Sequence, residues 1–304
     1  MRIGIDIGGS KTEAVVVDVD GSISARARLV TCAGAAGVIG SARAAILAMS
    51  EQSGVPVEQF ASIGIGIPGA VDSATGVVSH ARNLGVSRLE LAAHLGDITP
   101  APIRVENDVN AAAVGAYHHL GGSAIHSLGY LNLGTGLAAG IVLAGEVWRG
   151  AFGTAGEIGH IIIDRAGGVD ETGQPADLEM VASGSAIARQ WGSSEPSATI
   201  GLFDAADRGD EPALRIATSL VNGVADAVRI LVLTLDMQTV VIGGGLSRLG
   251  PRLIEPVRRR FAEWNSESSF IDSLRLQERV VVLESEVPVA ALGAAYLGGT
   301  GWQR

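Results

Sequence analysis

A chain of 304 residues, 47% of them hydrophobic, can bury two domains or one large one, and its 42 glycines, about twice the usual share, call for many tight turns and close backbone approaches. The net charge of −10 argues against sequence-independent nucleic-acid binding, which needs a basic surface, but not against an anionic small ligand, which needs only a local cradle of N–H groups. Cys32 is the sole cysteine, so an intramolecular disulfide and a cysteine-built metal cluster are excluded.

The chain opens MRIGIDIGGSKTEAVVVD. Asp6 breaks the first apolar stretch and argues against a secretory signal. Gly4, Gly9 and Ser10-Lys11-Thr12 come within one residue of the phosphate-binding pattern GxxxxGK[ST], but that device must join a strand to a helix. Here the β-branched Val15-Val16-Val17 and the Asp20-Gly21 turn predict a strand over 2–6, a glycine turn over 8–10, and strands over 12–18 and 22–30. Such a hairpin is either a plain turn or an anion cradle built from the N–H groups of Gly8, Gly9, Ser10 and Lys11, with Asp6 placed to orient water around Mg²⁺.

Residues 103–120, IRVENDVNAAAVGAYHHL, read as a strand entering an Ala-rich helix near Val109, with Glu106, Asn107 and Asp108 at the junction. Taken alone, Asp108 reads as a helix N-cap. Residues 109–145 hold no Asp, Glu, Lys or Arg, but three histidines, two asparagines and repeated glycines leave no apolar run of about 20 residues, so a membrane span is rejected. The default is a soluble cytoplasmic protein.

Residues 129–147, GYLNLGTGLAAGIVLAGEV, repeat the opening design about 125 residues later, which suggests a duplicated domain. No helix follows Gly136, so a dinucleotide fingerprint fails its own test. In RGAFGTAGEIGH (149–160), Glu157 and His160 flank Ile158-Gly159 before the apolar Ile161-Ile162-Ile163. Asp108, Glu157, His160 and Glu179 together offer what a polyhydroxylated ligand needs, since each hydroxyl is both donor and acceptor. Strand Thr239–Ile242 runs into Gly243-Gly244-Gly245 ahead of a helix near Pro251: a plain βα loop, or the strand–loop–helix switch where α/β proteins place ligands. The small-residue segment AALGAAYLGG (290–299) reads as a helix returning to the first domain.

These motifs, in this order, resemble the ROK family of bacterial sugar kinases: DIGGSKTE (6–13), GIGIPGAVD (64–72), ARNLG (81–85), ENDVNAAA (106–113), LGTGLAAG (133–140), GTAGEIGH (153–160), LEMVASG (178–184), IGGGLS (242–247) and ALGAA (291–295). The resemblance implies an α/β fold of two actin-like, ribonuclease H-like domains of the hexokinase and actin class, with an interdomain cleft. Residues 1–118 with 288–304 would form the smaller domain, closed by the C-terminal helix, and 119–287 the larger. It implies an ATP- and Mg²⁺-dependent kinase acting on a hexose hydroxyl, with glucose first and N-acetylglucosamine, N-acetylmannosamine, fructose and allose as rivals. Asp108 matches the catalytic base; Asn107, Glu157, His160 and Glu179, joined by Asn83, match the sugar ligands. Gly8, Gly9, Ser10, Lys11 and Thr12 match the first phosphate loop, Gly134, Thr135 and Gly136 the second. Gly243, Gly244, Gly245 and Leu246 match the adenosine side, and Asp6 the Mg²⁺-associated position.

One departure stands out. Many members carry CxCGxxGCxE here and bind zinc with three of its cysteines and the histidine, whereas DRAGGVDETGQPADLE (164–179) has no cysteine. Asp170, Glu171 and Asp177 are hard oxygen ligands, poor substitutes for thiolates. The expectation is no structural zinc, a His160 oriented by other means and a mobile loop. Repressors of the same family add a winged-helix domain before the first hairpin; with the hairpin starting at Arg2 and an acidic balance, the expectation is not a repressor. A sugar-binding protein that has lost catalysis is the remaining alternative. A homodimer or homotetramer is implied, with no nucleic-acid or membrane partner; polyphosphate as donor would need a basic stripe that the sequence lacks.

Overall fold

The β-branched run and glycine turn at the N-terminus give β1 (Arg2–Ile7), β2 (Lys11–Val17) and β3 (Ile23–Val30), joined as antiparallel hairpins. The computed structural model describes residues 1–169, 173, 175–193, 198–284 and 286–299. β4 (Ile63–Ile67) and β5 (Ile103–Asn107) add in parallel, so the sheet order is β3-β2-β1-β4-β5. The chain then repeats the pattern. β6 (Ser127–Leu133) and β7 (Leu137–Leu143) flank the second glycine turn, and β8 (Glu146–Val147) follows the Ala144-Gly145 turn, where both residues have positive φ. With β9 (Thr239–Gly243) and β10 (Val280–Val282) the order is β8-β7-β6-β9-β10. The two orders are the same, so the duplication suggested by the glycine hairpins is present in the topology.

The chain divides into two units: Met1–His126 with Gly140–Ala155 and Glu286–Arg304, and Ser127–Ala139 with Gly156–Ser285. In the first, the period of two along β1 and β4 sorts residue types by face. Ile3, Ile5, Ile7, Ile63, Ile65 and Ile67 pack on the helix Gly34–Ser53 through Val38, Ala42, Ala45, Ile46 and Met49. The intervening Gly4 and Gly64 face the helix Val289–Leu297, and their lack of a side chain lets backbone meet backbone: a Cβ on Gly4 would lie 1.9 Å from the Ala291 carbonyl oxygen, and one on Gly64 1.7 Å from that of Ala294. The same helix meets Asp108–His119, where a Cβ on Gly115 would lie 1.8 Å from the Val289 oxygen.

At the end of Asp108–His119 the half-buried His118 ring stacks on Tyr296, centroids 3.6 Å apart and planes 9° from parallel. Burial, then the charge of Arg2, lowers its pKa to about 4. The folded state therefore refuses a proton that the unfolded chain accepts below its ordinary value of 6.5. The resulting stability is present above pH 6.5 and is lost as pH falls toward 4. The full shift corresponds to about 3 kcal/mol, which solvent screening of a half-exposed ring reduces to about 1–2 kcal/mol. Urea unfolding at pH 7 and pH 4.5 should show that loss in the native chain and a flatter profile in His118→Phe.

In the second unit the core helix is Glu211–Leu235, capped by Asp210, whose carboxylate accepts from the Ala213 N–H at 2.9 Å. Among the described residues it is the one helix long and apolar enough to cross a membrane. Leu220, Val221, Val224, Val228 and Leu231 are buried within the unit, as expected of a core helix.

Candidate active site

The junction of β5 with the helix Asp108–His119 is built by side chains on both sides of Asp108. The N-cap is Asn107: its Oδ1 accepts from the N–H groups of Val109 (2.9 Å) and Asn110 (3.2 Å), and its Nδ2 donates to the Gly69 carbonyl at 3.2 Å. Asn107 is thus the N-cap, and Asp108 stands at the first helical position, where its Oδ1 also accepts from the Val109 N–H at 3.0 Å. The cap also commits most of the hydrogen-bonding capacity of Asn107 to the protein itself. Beneath them lies Glu106, 5% exposed and paired with Arg149. Its position in the sequence was visible; its partner, 43 residues on, was not.

Asp6 is the penultimate residue of β1 in the same unit. Burial, then the negative charges of Asp108 and Glu13, push its carboxyl up to about 7 against the opposing pull of Lys11. Burial also works against the charge on Glu13, but hydrogen bonds and ion pairs from Arg26 (2.7 Å) and Arg28 (3.2 Å) outweigh it and hold that carboxyl below its usual range. Asp6 and Asp108 therefore form an electron-rich pair whose mutual repulsion a divalent cation would relieve. The donor set suits Mg²⁺, which favours carboxylate oxygens together with those of phosphate.

The first glycine turn is closed by the Gly8 N–H donating to the Lys11 carbonyl at 2.9 Å, and leaves Gly9, Ser10 and Lys11 exposed. Asn83 is brought to it: a Cβ on Gly9 would lie 3.4 Å from the Asn83 carbonyl oxygen. Thr12 points the other way, fully buried, with its hydroxyl 2.8 Å from that of Thr31. Its side chain therefore supports the turn from inside.

In the second unit Glu179 reaches the second glycine turn. Its Oε2 accepts from the Leu137 N–H at 2.8 Å and would lie 2.4 Å from a Cβ on Gly136, so a larger residue there would displace this carboxylate from the turn. Gly134 and Thr135 are held from the far side: their carbonyls accept from the N–H groups of Gly184 (2.8 Å) and Ser185 (3.0 Å). The third glycine cluster comes to the same place. Gly244, at φ 79° and ψ −177°, sits where a Cβ would be 2.6 Å from Asn132 Oδ1. Gly243 lies against the Tyr130 hydroxyl. Beside these turns is a cavity of about 570 Å³ lined by Thr135, Ser185, Ile200, Gly245, Leu246 and Arg248 among others. Its size and mixed lining suit a small organic ligand with a polar end. Ser185, Ile200 and Arg248 carried no motif signal.

Glu157 is exposed just ahead of the short turn Ile158–His160. The His160 Nδ1 lies 3.4 Å from Asp177 Oδ2, and the other oxygen of Asp177 accepts from the Met180 N–H at 2.9 Å. Ile162–Val169 pairs with Pro175–Asp177 as a two-stranded sheet. Ile161, Ile162 and Ile163, apolar in sequence, are each 38% exposed. Asp170 and Glu171 lie outside the described residues. Residues 164–179 supply no thiolate, so this stretch does not fit the family's zinc cluster.

The ROK family model matches residues 2–299. Glucokinase from Halalkalibacterium halodurans is 30% identical over 278 residues, covering 85% of this chain and 84% of that protein. N-acetylmannosamine kinase from Pasteurella multocida is 30% identical over 249 residues, covering 80% of this chain and 81% of that one. Among solved structures, a ROK family glucokinase from Streptomyces griseus in complex with glucose and AMPPNP superposes with a TM-score of 0.78 at 29% identity, covering 98% of both chains.

Proposed function

The chain belongs to the ROK family, and from that premise we propose that it transfers the γ-phosphoryl group of ATP to a hexose hydroxyl, glucose before other sugars. The observation that carries this reading is the carboxylate of Asp108 at a helix start whose cap is already supplied by Asn107. The sugar oxygen attacks the γ-phosphorus, the bond to the bridging oxygen of ADP breaks, and the hydroxyl proton passes to Asp108. In a loose transition state that proton moves late, so Asp108 mainly positions the nucleophile. Asp6 would help to hold the Mg²⁺ that accompanies ATP, an ion that would neutralise phosphate charge. Gly8, Gly9, Ser10 and Lys11 in one turn, and Gly134, Thr135 and Gly136 in the other, present backbone N–H groups to phosphate, with Thr12 supporting the first. Gly243, Gly244, Gly245 and Leu246 hold adenosine, and the 570 Å³ cavity beside them supports that assignment. Asn83, Asn107, Glu157, His160 and Glu179 hold the sugar hydroxyls, His160 being steadied by Asp177 in place of a zinc site.

The kinase acts in the cytoplasm as a homodimer or homotetramer, without structural zinc; the cysteine-free stretch 164–179 supports the last point. The similarity to an N-acetylmannosamine kinase makes an N-acetylhexosamine the second substrate class. ADP release with Mg²⁺-ATP across hexoses and N-acetylhexosamines separates them: glucose should give the highest kcat/KM. Preference for an N-acetylhexosamine would replace glucose, and no turnover on any sugar that still binds would remove the kinase reading.

A further inference from the structure

Glu106 is a buried acid that phosphoryl transfer does not use. It is the penultimate residue of β5, two before Asp108, and both its oxygens are engaged. Oε1 accepts from the Asn107 backbone N–H at 3.0 Å and from the Asn110 side-chain amide at 3.1 Å. Oε2 faces the Arg149 guanidinium, with Nε donating at 2.8 Å and a second guanidinium nitrogen also in contact. Arg149 is itself fixed at its backbone, where its carbonyl accepts from the Ala155 N–H at 3.2 Å and closes the segment 149–155 at its base. A carboxylate this buried needs a counter-charge, and losing it leaves a charge without compensation.

We propose that Arg149 is a positioning residue for the Asp108 base, acting through Glu106. The guanidinium fork sets the rotamer of Glu106. Glu106 then holds the chain at two points that straddle Asp108: the peptide N–H before it and the Asn110 side chain one half-turn after it. Asp108 is thereby held at the start of its helix by a partner that never touches substrate. Both guanidinium nitrogens converge on Oε2, so a lysine at 149 keeps the charge but replaces two rigidly spaced donors with a single mobile point and holds that oxygen less firmly.

The rate readout of this inference rests on the kinase reading; its exchange readout does not. Arg149→Lys and Arg149→Met are compared with the native chain. Hydrogen exchange at the amides of residues 107–110 should rise about tenfold in Arg149→Met and less in Arg149→Lys, with the helix Gly34–Ser53 unchanged. With the preferred sugar, kcat should fall about 100-fold in Arg149→Met and about tenfold in Arg149→Lys, with KM for ATP within about twofold, because a displaced base costs the chemical step and not nucleotide binding. Guanidinium ion at low concentration should return part of the Arg149→Met loss. Unchanged exchange at residues 107–110 in both variants overturns the proposal whatever the activity, and so does an Arg149→Lys enzyme with native kcat. If Arg149→Met does not fold, Arg149→Lys decides. A native chain that turns over no sugar sinks the kinase reading, and the exchange result then decides this one alone.

Discussion

Asp108→Asn should lower kcat for the preferred sugar about a thousandfold while leaving KM for ATP within about twofold. Asparagine matches the size of the carboxylate but cannot take the hydroxyl proton. The helix start should survive, because its cap is Asn107, bonded to the N–H groups of Val109 and Asn110 at 2.9 and 3.2 Å. The substitution also removes one of the two negative charges that push Asp6 up to about 7. A carboxyl raised in this way holds its proton longer folded than unfolded, so it costs stability as pH rises from about 4 toward 7. Easing that repulsion should leave the melting temperature of Asp108→Asn at pH 8 at or above the native value, even as activity vanishes. ADP release and thermal unfolding on the same sample measure both. An Asp108→Asn enzyme within tenfold of the native rate would take the base assignment away from this residue.

Gly64→Ala should destabilise the first unit by about 4 kcal/mol, at the upper end for overpacking, and lower its melting temperature by about 10 °C. The added Cβ would stand 1.7 Å from the Ala294 carbonyl oxygen and 2.4 Å from its carbon. Both obstacles are backbone, so no side chain can swing aside. The helix Val289–Leu297 must lift, and it packs on β1 and on Asp108–His119 through Gly4 and Gly115 in the same way. Gly40→Ala is the control, since a Cβ there meets nothing within 4 Å and the position is helical, where alanine is the better residue. Equal melting temperatures for Gly64→Ala and the native chain would mean that the close approach does not bear on stability.

Much of the fold was legible because its signals are local. A run of β-branched residues, a glycine turn and an Asp-Gly turn define hairpins from neighbouring residues alone, and two such hairpins announced the repeated sheet. The sequence also supplied the candidate residues, by their order along the chain.

What those residues touch was decided by tertiary structure. The sequence assigned the cap to Asp108 in isolation; folding gave it to Asn107, because the Gly69 carbonyl orients that amide. Thr12 was grouped with the exposed turn, yet strand register turns its hydroxyl inward to Thr31, 19 residues away. Glu179 meets the second glycine turn across 42 residues, and Arg149 meets Glu106 across 43. No periodicity encodes such pairs. Periodicity reports which face of an element a residue occupies, whereas the partner across that face depends on where another element has packed. The sequence alone therefore determined the glycine hairpins, the duplication and the family. Only the folded chain decided which oxygen each buried N–H meets, because a hydrogen bond is set by distance in space and not by distance along the chain.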